Sequence, residues 1–333
     1  MPNVSVVIPT HNRIERLKRV LAALERQDYA LGDFEVVVVS DGSSDGTDEY
    51  LRALTTPLQL HLVVQPNQGV AVARNNGVRQ ATGDLVLFID DDVVPAPQLI
   101  AEHVRIHSAQ SDDVIVLGPM LTPEGFLMSR WVRWEQAMLT KQYDAMRAGK
   151  YAPSARQFYT GNTSLARTHL LASGGFDENF RRAEDVELAY RLAQRGLPFI
   201  FNPDAIGYHY AERSFRSWIE IPYVYGRNDV IFTRDKQQHW LLPEVLNEFH
   251  DRNMLVRLLV RICLDRDRLS RSTVAWLKGI SYFADHLGFE RLVQTTHSGI
   301  FNLRYYQGVA HEMGGRQRFF AQVAQAQLAH AHV

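Results

Sequence analysis

Five apolar residues, Leu85 to Ile89, run straight into three carboxylates, Asp90, Asp91 and Asp92. A continuous apolar run of that length suits a strand buried on both faces of a parallel sheet. Three adjacent acids cannot be buried without partners. They belong just past the strand, at the carboxyl edge of the sheet, where open α/β folds place their ligands. Hard oxygen ligands clustered there suit Mg²⁺ or Mn²⁺ holding a phosphate. The plain alternative is an acidic surface turn ahead of Pro95, and this stretch alone does not choose between the two.

The flanking sequence repeats the pattern. Residues 4–8, 34–39 and 61–64 read as strands. Ile14, Leu17, Val20, Leu21 and Leu24 fall on one helical face, and Asn12 and Glu15 ahead of them stand at capping-box spacing. Residues 48–54 read as a short helix, and residues 69–80 as one rich in small side chains. Strand alternating with helix predicts a mostly parallel α/β sheet flanked by helices. Helices are predicted over 95–108, 126–143, 168–173 and 183–194, a mobile loop over 151–157, and strands over 114–118, 158–166, 199–202 and 206–210. From about Arg213 the pattern is helical to the end. No Pro/Gly/Ser linker marks the change, so the predicted division is residues 1–212 and a mainly helical 213–333.

The totals exclude several classes. Among 333 residues, 36 Lys or Arg face 37 Asp or Glu, which gives no global pull towards nucleic acid or anionic lipid. A single cysteine, Cys263, rules out an internal disulfide and a Cys-based zinc site, and fits a reducing cytoplasm. No apolar run approaches the ~18 residues needed to span a bilayer. The N-terminus enters a strand with no signal-peptide pattern. The expectation is a cytoplasmic protein.

Four further features carry candidate chemistry. Asp41 follows an apolar strand and could accept from a base N–H or a ribose hydroxyl, or merely cap its turn. Arg74 lies on the small-residue helix, from which it could reach a base or a diphosphate, unless it is an ordinary surface arginine. Glu184 and Asp185 open a helix whose N-terminus favours negative charge; they read either as helix-end acids or as a general base for an acceptor hydroxyl. His209 ends a short strand and is a candidate metal ligand or a satisfied polar residue.

Taken together, these motifs resemble a family 2 glycosyltransferase of the GT-A fold. The resemblance rests on residues 6–13, 39–47, 67–77 and 88–92, and continues through 161–164, 174–177 and Glu184-Asp185. It spans roughly residues 3–212. It implies that Pro9, Thr10 and Asp41 border the nucleotide base and that Arg74 helps hold the nucleotide. Asp90 to Asp92 match the Asp-x-Asp segment, with Asp92 the direct metal ligand, Asp90 on the ribose or metal shell and Asp91 in the variable middle position. Asp185 matches the catalytic base, with Glu184 beside it. His209 matches a metal-contacting histidine, and residues 161–164 would line the acceptor side.

The implied activity is an inverting, metal-dependent transfer of a sugar from a nucleotide sugar, a UDP-sugar first among them, to a hydroxyl of a glycan, lipid-linked or other acceptor. The metal would be Mn²⁺ or Mg²⁺. A single in-line displacement needs one base and no covalent intermediate. A sugar-phosphate nucleotidyltransferase would be expected to carry a Gly-rich basic loop after the first strand, and residues 9–19 contain no glycine. A dinucleotide-binding dehydrogenase fails for the same reason. A binding module that has lost turnover would keep the fold, yet every acid the mechanism needs is present.

In the C-terminal third, residues 254–264 form a strongly apolar helix candidate with Arg257 and Arg261 at i, i+4 spacing. The wide apolar face favours packing on the catalytic domain or on a second subunit over a membrane-surface helix. The region is expected to shape acceptor choice, with at most weak, salt-sensitive peripheral contact at the inner membrane face.

Overall fold

The structure is a computed structural model that describes residues 3–110 and 113–330. The chain divides into two compact units, Met1–Leu127 with Gln136–Ala211, and Met128–Glu135 with Glu212–Val333.

In the first unit β1 (Val4–Thr10), α1 (Ile14–Leu24), β2 (Phe34–Asp41), α2 (Thr47–Ala53), β3 (Gln59–Gln65), α3 (Val70–Gln80) and β4 (Leu85–Ile89) alternate as their periodicity predicts. Next come β5 (Val93–Pro95), α4 (Leu99–Gln110), β6 (Ile115–Leu117), β7 (Met120–Leu121) and α5 (Arg130–Arg147), the first residues of which belong to the second unit. The unit closes with β8 (Asn162–Ala166), α6 (Arg167–Ala172), α7 (Glu184–Gln194), β9 (Phe199–Phe201) and β10 (Gly207–His209). Seven strands form one sheet in the order β3-β2-β1-β4-β8-β6-β9. The pairs β3–β2, β2–β1, β1–β4 and β6–β9 are parallel, whereas β8 runs antiparallel to both neighbours.

Every residue of β1, β2 and β4 is buried, as unbroken apolar runs require. Val6, Ile8, Val36, Val38, Leu87 and Ile89 pack with Leu17, Leu21 and Leu24 of α1. Each such side chain contributes about 1.5–3 kcal/mol of burial. On the opposite face α3 lies so close that a Cβ on Gly77 would sit 2.4 Å from Val7 Cγ1. The small residues of this helix permit that approach.

Three local expectations are corrected. Asn12 caps no helix: its φ is 53°, α1 starts after it, and its side-chain oxygen accepts from Ser44 N at 2.7 Å. Pro95, the predicted start of a helix, instead ends a short strand, and α4 begins at Leu99. Proline there is compatible because β5 is the edge of a small sheet of order β5-β10-β7. Residues 151–157 include a 3-10 turn, Ala155–Gln157, closed by a reciprocal Ser154–Gln157 capping box.

The second unit is helical: α8 (Phe215–Asp235), α9 (Leu241–Asp251), α10 (Met254–Cys263), α11 (Asp267–His286), α12 (Glu290–Glu312) and α13 (Arg316–His330). Two glycines set the crossing of α8 and α12. A Cβ on Gly226 would lie 2.1 Å from Tyr305 O, and one on Gly308 would lie 1.9 Å from Tyr223 O. The aromatic rings of Trp134, Trp218 and Phe301 pack together beside this crossing. Among the described residues, no helix is long and apolar enough to cross a membrane.

Candidate active site at the carboxyl edge of the sheet

The parallel register of β1 and β4 brings Thr10 and the acidic triplet to one edge. Thr10 Oγ1 donates to Asp91 Oδ2 at 2.8 Å. Each acid has a cationic partner. Arg13 Nη1 donates to Asp91 Oδ1 at 2.9 Å and to Asp92 Oδ2 at 3.0 Å, and Arg16 Nη1 reaches Asp92 Oδ2 at 3.1 Å. Arg74 Nη2 donates to Asp90 Oδ1 at 2.9 Å. The triplet is therefore no plain surface turn; Asp91 and Asp92 are buried.

Their partners split the neighbouring acids, although burial acts on both alike. Burial pushes Asp91 up to about 6, since Arg13 offsets only part of the desolvation. Burial would raise Asp92 too, but His209 and then Arg13 and Arg16 outweigh it and hold the group at about 2.

His209 arrives on β10, which pairs antiparallel with β5 so that His209 faces Val93. Tyr210 N donates to Asp92 O at 2.9 Å, fixing the two segments together. His209 Nε2 then lies 3.5 Å from Asp92 Oδ1, and its Nδ1 is buried with no hydrogen-bond partner.

Arg74 is buried and bridges two segments that are far apart in sequence. Its Nη1 donates to Glu184 Oε1 at 2.7 Å while Nη2 holds Asp90. One guanidinium thus joins the acidic triplet to the start of α7. Ala183, the residue before that helix, takes the left-handed conformation with φ 60°, which is uncommon for alanine and concentrates at functional sites. Asp185 has one carboxylate oxygen on Val186 N at 2.8 Å. Burial and then the charge of Glu184 push its carboxyl well above the usual range, with Arg74 opposing them. Glu184 is engaged by Arg74, so the two adjacent acids stand in different environments.

Other predicted residues have mainly structural partners. Pro9 is buried at the end of β1. Asp41 accepts from Gln65 Nε2, Gln68 N and Gly69 N at 2.8, 2.8 and 2.9 Å, so it ties the loop that precedes α3. Of residues 161–164, expected along the acceptor side, only Gly161 lies at the site, where a Cβ would be 3.2 Å from Asp90 Oδ2. The side chains of Asn162, Thr163 and Ser164 are buried, and Asn162 and Ser164 bond His103 at 2.9 and 2.8 Å.

Sequence reasoning gave no role to Arg13, Arg16 or Asn75. Two arginines near the start of α1 oppose the helix dipole, which is the signal that acids elsewhere hold them. Asn75 anchors the loop after Gly174-Gly175: its Nδ2 donates to Phe176 O, and Phe176 N donates to its Oδ1 at 2.8 Å. Gly175, at φ +73°, meets Asn75 so closely that no side chain fits. Phe176 in turn lies edge-on to Phe88 and beneath Arg74.

Among the described residues, no group of three or more His, Cys, Asp or Glu side chains stands in metal-holding spacing. The expected trio of Asp90, Asp92 and His209 is present as a pair, because Asp90 is turned to Arg74. That pair still fits Mg²⁺ or Mn²⁺ bound with a nucleotide. Such ions take one or two protein ligands and complete their shell with water and phosphate oxygens, and the unpartnered Nδ1 of His209 leaves one ring nitrogen available. A cavity of about 700 Å³ in the second unit, lined by Tyr223, Asp267, Arg271 and Arg304 among others, contains none of these residues.

The chain is similar to several known proteins. The model for glycosyl transferase family 2 matches residues 5–171. A validoxylamine A glucosyltransferase of Streptomyces hygroscopicus subsp. jinggangensis (strain 5008) is 35% identical over 232 residues, covering 62% of this chain and 55% of that protein. The chain spans about half the length of the first curated relatives it matches, 55% and 51%. The mannosyltransferase PcManGT from Pyrobaculum calidifontis, solved with GDP-Man and Mn²⁺, superposes with a TM-score of 0.57 at 25% identity, over 70% of this chain and 65% of that one. S. aureus TarS 1-349 with UDP-GlcNAc gives 0.56 at 18% identity over 94% and 92%, a likeness of fold alone.

Proposed function

The chain belongs to glycosyl transferase family 2, and on that premise we propose that it moves a sugar from a nucleotide-sugar donor to an acceptor hydroxyl, with a divalent metal ion and with inversion at the anomeric carbon. The observation that carries this reading is the Arg74 bridge, which holds the Asp90–Asp92 edge and the Glu184–Asp185 helix start together at one sheet edge.

In this reading Asp92 and His209 would hold the ion, which would supply positive charge to the departing nucleoside diphosphate. Arg13, Arg16 and Arg74 lend further positive charge to the same edge. Asp185 accepts the proton of the attacking hydroxyl, for which its raised carboxyl is matched to neutral pH. A single base with no second free carboxylate beside it suits one displacement, hence inversion. In the same reading Pro9, Thr10 and Asp41 border the nucleotide base.

Calorimetry with UDP and with GDP, each with Mn²⁺ and with EDTA, tests the donor site. Metal-dependent binding of one nucleotide, lost in Asp92→Ala, is expected. Equal binding in EDTA would remove the metal from the account.

A further inference from the structure

The second unit exposes an apolar surface that contains none of the residues of the candidate site. Of the 19 large apolar side chains that stand exposed among the described residues, 11 fall within residues 254–292. On α10, Val256, Val260 and Cys263 turn inward while Leu255, Leu258 and Ile262 face solvent. On α11 the packed face is Val274, Leu277, Ser281 and Ala284. Beside it runs a second stripe, Leu269, Trp276, Ile280, Phe283 and Leu287, at helical spacing along about five turns. Trp276 is 73% and Phe283 68% exposed. The two helices adjoin through their packed sides: Cys263 Sγ lies 3.4 Å from Thr273 Oγ1, and Leu259 and Leu277 both lie against Gly299 of α12.

Charge selects the occupant. Residues 254–292 carry seven Lys or Arg against four Asp or Glu. Three of those acids are engaged elsewhere: Asp285 with Arg130 and Arg133, Glu290 with Arg133, and Asp265 with the backbone N–H of Arg316. Arg257 and Arg261 follow one another beside the exposed leucines of α10. A second copy docked across a two-fold axis would set this basic rim against itself. An anionic lipid surface meets it with opposite charge, and Trp, Phe and Leu side chains are those that enter the headgroup boundary.

We propose that the α10–α11 face binds peripherally to anionic lipid bilayers, Trp276, Phe283 and Leu287 entering the headgroup layer and Arg257 and Arg261 pairing with lipid phosphates. The sequence pattern favoured a packed helix here; α10 packs along one side only, and the side left open is apolar with a basic rim.

The test is sedimentation of the full chain with vesicles of phosphatidylcholine alone and with about one-third phosphatidylglycerol, at low salt and at ~0.5 M salt. The parent should sediment with the mixed vesicles at low salt and bind at least tenfold more weakly to neutral vesicles or at high salt. Trp276→Ser with Phe283→Ser, and separately Arg257→Glu with Arg261→Glu, should each weaken binding at least tenfold. Should either variant fold poorly, quenching of parent fluorescence by brominated lipid, lost in Trp276→Phe, gives the same answer. Absence of sedimentation at low salt, or equal binding to both lipid compositions, overturns the proposal. So does a dimer in sedimentation velocity that the Trp276 and Phe283 changes dissociate while vesicle binding is absent.

Discussion

Replacing Arg74 with methionine removes the one cation shared by Asp90 and Glu184. The Glu184 pair is buried, with side chains 5% and 8% exposed, whereas Asp90 is 36% exposed. Breaking a buried pair costs about 3–5 kcal/mol, because the remaining charge is left uncompensated. The half-exposed Asp90 pair adds about 1 kcal/mol at most. Methionine fills much of the space, so a loss of about 3 kcal/mol at pH 8 is expected. With a urea slope of about 2 kcal/mol/M, the midpoint falls by about 1.5 M.

The loss should depend on pH, and the sign follows from Asp185. Its folded carboxyl titrates above the unfolded one, so the native state binds more protons and stability falls as pH rises through that window. Removing Arg74 takes away the opposing charge and widens the window. Arg74→Met should therefore be less damaging at pH 5 than at pH 8, and adding Glu184→Gln should restore more than half of the loss. An unchanged midpoint at pH 8, or an equal loss at both pH values, would refute the reasoning.

Other outcomes follow from single contacts. His209→Ala should weaken Mn²⁺-supported nucleotide binding in calorimetry with little change in melting temperature; a large drop in melting with normal metal binding would make His209 structural. Gly308→Ala should cost about 1–3 kcal/mol in urea unfolding, because a Cβ there meets the backbone of Tyr223, and a neutral effect contradicts the close helix crossing. Asp91 titrates at about 6 in the fold against 3.8 unfolded, so the native state holds the extra proton in between. The stability of the parent relative to Asp91→Asn should then fall by about 2 kcal/mol from pH 4 to pH 6, and a flat difference would place Asp91 in the ordinary range.

What the sequence discloses is whatever local pattern controls. The unbroken apolar run of 85–89 dictates a buried strand, and the acids after it can only lie at its end. The small residues of α3 announce close packing, but that Arg74 is buried between Asp90 and Glu184 is not legible there. Long-range pairing is what local pattern hides. That β8 enters antiparallel between β4 and β6 depends on chain path, not on the residues of 162–166. Arg13 and Arg16 read as helix-surface cations until the β1–β4 register puts Asp91 and Asp92 against them. Gly226 and Gly308 lie within separate helices, and nothing near either one in sequence shows that they face each other's backbone. The partner of Asn75 is a loop about one hundred residues away.

Sugar transfer as proposed depends on Asp185 taking the acceptor proton. The direct measurement is release of nucleoside diphosphate from a panel of nucleotide sugars with Mn²⁺, run on the parent and on Asp185→Asn, with donor affinity measured in parallel. The prediction is donor-specific release by the parent, and in Asp185→Asn unchanged donor affinity with turnover lower by about 10²-fold or more. Turnover at the parent rate in a variant that binds donor normally would contradict it.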